Sequence, residues 1–367
     1  VTWDLLAFAD LHMTNRHSGG SLDETGTNSF LRCIKELFLQ MLSRALKEDC
    51  ILVCAGDFID STSLDPITAT VVHEVFEKAE SMGIPFLILG GNHEFDGMRS
   101  LVDAYNPLKF KNIRMIANPR VTKIRDIEFY CVPYIGPSVE RLQHEVTTMI
   151  RRAKISKVKK KVLLLHFPIV GGKFDASNRR LESGFNLRAI LDSEGHPFTC
   201  ILAGDFHDRQ KLKGVKRFMY LGQPYQGNFA AVGKKRGYTL MDLKANKRRL
   251  VISKACPRYI VLPNVTSVAQ LSSKMDIEGN VVRAFIEPEM QASTVSDKLL
   301  QLGAVKAQIR RIKKKAKPLP EHDDNYSLSD QHSATIRDFV SKHCPDGLPV
   351  KLVSELAVGL YEEVREA

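Results

Sequence analysis

Five short stretches place carboxylate, imidazole and amide side chains at the ends of hydrophobic runs: Asp10-Leu11-His12, Gly56-Asp57, Gly91-Asn92-His93-Glu94, His166 and Gly204-Asp205-Phe206-His207. Such donors suit borderline to hard divalent cations, Mn²⁺ first, with Fe²⁺, Zn²⁺ and Mg²⁺ as alternatives. No cysteine stands among them, which argues against a structural zinc site. Two ions about 3.5–4 Å apart can clamp a phosphoryl group and lower the pKa of a bound water towards neutrality. One carboxylate must then bridge the ions, and Asp57 is the candidate because Gly56 has no side chain to crowd two cations. A lone Asp or His after a strand is usually a turn former or a helix cap. Five in succession favour the metal chemistry.

The runs before these clusters, residues 5–9, 51–55, 86–90, 161–165 and 200–204, are almost wholly apolar or small, as in strands buried on both faces. Ligand sites of open α/β sheets form beyond the carboxyl ends of strands, where all five clusters fall. If the first strand continues through Asp10 and His12, their side chains point to one side and can share a metal.

The order DxH, GD, GNHE, H and GDxH resembles the calcineurin-like metallophosphoesterases over about residues 4–210. Within them the chain is most similar to the SbcD-type nucleases of double-strand-break repair, the meiotic recombination eleven family. Gly56-Asp57-Phe58-Ile59-Asp60 is similar to that family's second motif, and Gly222-Gln223-Pro224-Tyr225-Gln226 resembles its GSPYQ segment. The resemblance implies an α/β sandwich of two sheets flanked by helices, followed by a small α/β capping domain and a helical tail. It also implies that Asp10, His12, Asp57 and His207 surround one metal, and Asp57, Asn92, His166 and Asp205 the other. His93 would stand beside the scissile phosphate, donating a proton or stabilising charge. Asp60 lies near the site, and Glu94 either supports the metal loop or caps a helix. The family has GHxH where this chain has GDFH, so Asp205 replaces a histidine, adds negative charge and favours a harder ion. The expectation is that Asp205 still ligates.

The implied activity is that of a 3′ to 5′ exonuclease on duplex ends and an endonuclease on single strands or hairpins. An SbcC-type coiled-coil ATPase would regulate it, in a homodimer with candidate contacts on helices around residues 30–46 and 71–82, whose apolar stripes could equally be core. The competing readings are another calcineurin-like phosphatase or small-molecule phosphodiesterase, and a DNA-binding scaffold with a weakened site.

Composition bounds these readings. The 367 residues are 44% hydrophobic and carry a formal charge of +11. Residues 319–367 contain ten acidic and four basic residues, which leaves +17 on the first 318. Two basic runs stand out, one with Arg151, Arg152, Lys154, Lys159 and Lys160, the other with Arg310, Arg311, Lys313 and Lys314, each read either as a solvated face or as DNA contacts. Neither has interleaved aromatic residues, so phosphate neutralisation is expected rather than base reading. Seven cysteines are scattered without paired spacing, and no apolar segment approaches the ~20 residues needed to span a bilayer. The first residues read as a strand rather than a signal sequence, and the expected setting is cytoplasmic, nucleoid-associated and free of membrane. The expected organisation is a nuclease domain over 1–256, a cap over 257–317, a polar linker over 318–332 and a partner-binding helical tail over 333–367. In the cap the pattern predicts strand, short helix (267–275), strand, helix (294–302) and basic strand. Among other histidines, His17 follows the first motif closely enough to reach the site.

Overall fold

The computed structural model describes residues 2–105, 110–174, 179–272, 275–312, 328–344 and 349–366. Two compact units emerge, Val1–Ile312 and Lys313–Ala367. The sequence boundary at 256/257 lies within the first unit.

The apolar runs are strands. β1 (Leu5–Phe8), β2 (Ile51–Cys54), β3 (Phe86–Leu89) and β4 (Ile113–Ile116) pair in parallel. The antiparallel strands β10 (Gly237–Asp242) and β11 (Lys247–Ile252) complete a six-stranded sheet on the β1 side. A second sheet runs in the order β5 (Arg120–Ile124), β6 (Ile127–Val132), β7 (Lys160–His166), β8 (Cys200–Gly204), β9 (Phe218–Tyr220), parallel from β6 to β9.

The two sheets pack face to face. Leu5, Ala7, Ile51, Val53 and Leu87 meet Phe129, Val162, Leu164 and Leu202 in one buried cluster. The alternate residues Leu6, Phe8, Leu52 and Phe86 face outward and are covered by α1 (Ser29–Glu48) and α2 (Pro66–Ser81), and the short α3 (Leu101–Tyr105) precedes β4 in the chain. α4 (Val139–Ile155) and α5 (Leu187–Glu194) cover the other sheet through Leu142, Val146, Leu187 and Leu191 against Leu163, Leu165 and Ile201. Each central strand is therefore buried on both faces, which is why its sequence lacks polar alternation. The expected α/β sandwich of two sheets flanked by helices is the observed architecture. Side-chain caps start the helices: Asn28 accepts from the Phe30 amide, Asp65 from Thr68 and Ser138 from Arg141.

The apolar stripes of α1 and α2, candidates for a subunit contact, are core instead. Leu31, Ile34, Phe38, Val72 and Val75 are all fully buried.

Residues 259–311 form a three-stranded parallel sheet, β12 (Tyr259–Val265), β13 (Val281–Ile286) and β14 (Lys306–Arg311), with α6 (Ala292–Gln301) on it. The helix expected over 267–275 is only a 3-10 turn at Val268–Gln270 among the described residues, so Ser267 and its neighbours offer too few turns for an α-helix. In the second unit α7 (Leu328–His343) begins five residues before the sequence boundary at 333, shortening the expected linker, and α8 (Val350–Glu366) follows. Lys313 and Lys314 lie outside the described residues.

Candidate metal centre

The metal motifs lie where the carboxyl ends of β1, β2, β3, β7 and β8 converge from both sheets. β1 stops at Phe8, so Asp10 and His12 are not strand residues as the alternation argument assumed. Their loop instead runs beside the one after β2, with Asp10 N donating to Gly56 O, His12 N to Asp57 O and Met13 N to Phe58 O, each at 3.0 Å. Four candidate ligands hold left-handed backbone: Asp10 (φ 54°), His12 (φ 48°), Asp57 (φ 52°) and Asp205 (φ 96°). Non-glycine residues in this region cost on the order of 1–3 kcal/mol each and cluster at functional sites.

Donor atoms of Asp10, His12 and His207 lie within 4.8 Å of one another, and so do those of Asp10, Asp57 and His166 and those of His12, Asp60 and His93. The carboxylate of Asp57 sits between the groups. Its Oδ2 is 3.3 Å from His166 Nε2, 3.8 Å from His12 Nε2 and 3.9 Å from His93 Nε2. Its Oδ1 accepts from the His93 amide at 3.0 Å. Asn92 joins through Oδ1, 2.9 Å from His166 Nε2. His12 and His207 bring their Nε2 atoms to 3.2 Å.

Gly56 has a different role from the one its sequence position suggested. A Cβ there would stand 2.0 Å from His166 Nδ1, and its φ is +99°. It admits the imidazole ring rather than a second cation. The ring is then pinned by an Nδ1 hydrogen bond to Ala55 O at 2.7 Å, which fixes the tautomer and presents Nε2 to the centre.

Two acidic residues brace this arrangement. Glu94 is fully buried and accepts from Ile59 N at 2.9 Å and Gly91 N at 2.7 Å, tying together the loops after β2 and β3. It supports the metal loops and caps no helix. Burial and the nearby Asp57 charge push its carboxyl up to about 7. Asp60 Oδ1 lies 3.2 Å from His12 Nδ1 and 3.3 Å from His93 Nδ1, orienting both rings. Burial opposes ionisation of Asp60, but hydrogen bonds from these rings outweigh it and hold the carboxyl well below the usual range. The hydrogen bond to Asp60, aided by Asp57 and opposed by burial, raises His93 to about 9. His93 is the exposed member of the cluster, its side chain 40% accessible against 2% for Asp57.

Asp205 contributes first through its backbone, whose N–H donates to Asp10 Oδ1 at 2.9 Å. Its carboxylate belongs to none of the three close groups, although burial and the charges of Asp10 and Asp57, against His166 and His207, raise it to about 6. The Asp205 carboxylate stands beside the close groups, within the field of His166, Asp10 and Asp57. Asp10 Oδ2 is buried without a hydrogen-bond partner, an orphaned acceptor that a cation would satisfy. Together with convergent imidazole and carboxylate donors, that atom makes the residues fit divalent metal, and the cluster is able to hold two ions.

The remaining sequence candidates divide. His17 stacks on Phe30 at 3.7 Å and accepts from Gly19 N, and burial lowers it to about 4; it is wall, not ligand. Arg151, Arg152, Lys154, Lys159 and Lys160 lie around the end of α4 and the start of β7, across the sheet from His166. Arg151 and Lys154 pair with Glu194, and Lys160 with Asp4 and Asp126. Arg310 and Arg311 are exposed on the edge strand β14. Sequence reasoning gave no roles to Tyr225, whose hydroxyl donates to Leu11 O at 3.0 Å, or Gln226, which accepts from Tyr259 N at 2.7 Å. Both lie in the segment 222–226, which thus links the metal loop to the appended sheet.

A two-sheet sandwich with buried Asp and His side chains converging at its strand ends defines a metal-dependent hydrolase. Residues 4–209 match the calcineurin-like phosphoesterase family, and the chain belongs to it. No curated protein matches the chain in sequence. Among solved structures, a dimetal phosphatase from Danio rerio aligns at 10% identity over 65% of this chain and 92% of its own, with a TM-score of 0.41. A cold-active protein tyrosine phosphatase aligns at 15% identity over 70% of this chain and 80% of its own, with a TM-score of 0.32.

Proposed function

We propose that the chain hydrolyses DNA phosphodiesters, as an exonuclease acting 3′ to 5′ on duplex ends and an endonuclease on single strands or hairpins. The observation that carries this reading is the basic sheet set against the metal loop. Lys306 Nζ donates to Ser18 O at 2.6 Å, in the loop that follows Asp10 and His12, and the same strand exposes Arg310 and Arg311. A polyanionic substrate reaching the metals would meet these cations, which suits phosphate contacts better than a small neutral ester does.

Asp10, His12, Asp57 and His207 would hold one ion, and Asp10, Asp57, Asn92 and His166 the other, with Mn²⁺ favoured by the donor set. When bound, the ions supply Lewis acidity and a water activated near neutral pH. His93, raised by Asp60 and open to solvent, would give its Nε2 proton to the leaving sugar oxygen. Asp60 and Glu94 keep the rings and loops in register.

The proposal extends to a partner. Phe339 on α7 and Leu352 and Leu356 on α8 are exposed and apolar, which favours docking on the base of a coiled-coil ATPase. Loss of ATPase capture on deleting residues 331–367 would be expected.

Cleavage of end-labelled duplex DNA with Mn²⁺ tests the activity. Metal-dependent shortening that disappears in Asp57→Asn and falls 10²- to 10⁴-fold in His93→Ala is the expected result. Turnover of a nitrophenyl phosphate monoester with no DNA cleavage would replace this reading by a phosphatase.

A further inference from the structure

The edge of the sandwich opposite the metals is crowded with cations. Three adjoining cavities of about 450, 580 and 630 Å³ open there, and Arg217 lines all three. Their walls hold nine Lys and Arg residues against two Asp. These residues come from the amino ends of β7 and β9, the β5–β6 and β10–β11 turns and α5, so the face spans both sheets.

Two arginines form a fixed centre. Arg217 has left-handed backbone (φ 60°), and its carbonyl accepts from Ile201 N at 3.0 Å and from Arg248 Nη2 at 2.9 Å. Arg217 Nη1 in turn donates to Phe198 O at 3.3 Å. Around this pair the exposed side chains of Lys211, Lys216 and Lys244 make no ion pair or hydrogen bond among the described residues. Like charges gathered without partners oppose the compact state rather than support it. Elsewhere on this edge the cations that brace the fold are matched, Lys160 by Asp4 and Asp126 and Arg188 by Asp192.

We propose that this edge is a second, non-catalytic binding face for the phosphate backbone of duplex nucleic acid. Charge complementarity sets the class of ligand, and the dimensions suit it. From β5 to β9 the face crosses four strand spacings, about 19 Å, which is roughly half a turn of duplex. Lysines on flexible stems with two fixed guanidinium groups recognise phosphates without reading sequence. The choice of nucleic acid over an acidic protein rests on the reading of the metal site as a nuclease. A duplex held here would lie at the far side of the sandwich from the metals, so this face would hold a length of DNA that is not being cut.

Binding of a fluorescent 20-base-pair duplex to the full chain, in chelator so that no cleavage occurs, tests the face. In Lys211→Glu/Lys216→Glu/Lys244→Glu the slope of log affinity against log salt should become shallower by about 2–3, close to 0.9 for each phosphate that is no longer neutralised. An unchanged slope overturns the proposal. Lysine acetylation of the wild-type chain gives a readout independent of any variant's folding. The duplex should protect these three lysines. Equal labelling with and without DNA, or protection by polyglutamate and not by DNA, also overturns it. Protection without Mn²⁺-dependent cleavage would keep the face and remove the nuclease reading, whereas cleavage without protection would do the reverse.

Discussion

Replacing Gly56 by alanine should damage the metal centre without touching a ligand. The new Cβ would lie 2.0 Å from His166 Nδ1. Carbon contacts settle near 3.5–4.0 Å, so the ring must retreat by about 1.5 Å. Metal ligand distances tolerate about 0.2 Å, so His166 Nε2 would leave its place beside Asp57 and Asn92. The bond from Nδ1 to Ala55 O breaks as the ring moves. A β-carbon at φ +99° adds roughly 1–3 kcal/mol of strain, and the broken hydrogen bond about 1 kcal/mol. The metal-free protein should therefore lose about 2–4 kcal/mol in urea unfolding. Calorimetric titration with Mn²⁺ should show one site weakened 10- to 100-fold, the range for misoriented ligands, with the other nearly intact. Two sites of wild-type affinity in Gly56→Ala would refute the argument that this glycine exists to admit the imidazole.

Asp60→Asn should lower turnover 10- to 100-fold by releasing His93 and His12 while two ions still bind; a drop to one ion in the titration would make Asp60 a ligand instead. Glu94→Ala orphans two buried amides and should cost about 2–5 kcal/mol, and Glu94→Gln, keeping one acceptor, clearly less; equal losses in calorimetric unfolding would contradict the loop-tying role. His17 titrates near 6.5 when unfolded and near 4 when folded, chiefly through burial, so the unfolded chain takes its proton first. Its contribution is then fully present above about pH 6.5 and is lost towards pH 4, by up to about 3 kcal/mol. Urea unfolding of the metal-free protein at pH 7 and 4.5 should show a smaller acid loss in His17→Gln than in wild type, and identical losses would refute the assignment.

What the sequence made legible follows from which interactions are local. Strands buried on both faces need continuous apolar runs, so residues 51–55 and 200–204 announced themselves, and the polar residues ending those runs marked the edge where they meet. The donor types at Asp10, His12, Asp57 and His166 were readable for the same reason. Backbone strain was not, because left-handed φ at Asp10, His12 and Asp57 comes from two loops hydrogen-bonding to each other across some forty-five residues. The role of Gly56 was hidden because the ring it admits lies 110 positions away, and the bond from the Asp205 amide to Asp10 because it spans 195 positions.

The basic run before β7 shows how a one-dimensional reading inverts distance. Lys160 and His166 are six residues apart, and such closeness suggests phosphate contacts beside the metals. In a helix those six residues would rise about 9 Å; in a strand they span about 20 Å. As the first and last residues of one strand, the two stand at opposite ends of β7, with Lys160 partly exposed and His166 fully buried. The cation that does adjoin the metal loop is Lys306, far along the chain, brought in by a separate sheet that Gln226 anchors through Tyr259. Charge beside the metal loop is thus supplied by topology, and charge close to His166 in sequence lies at the other end of its strand.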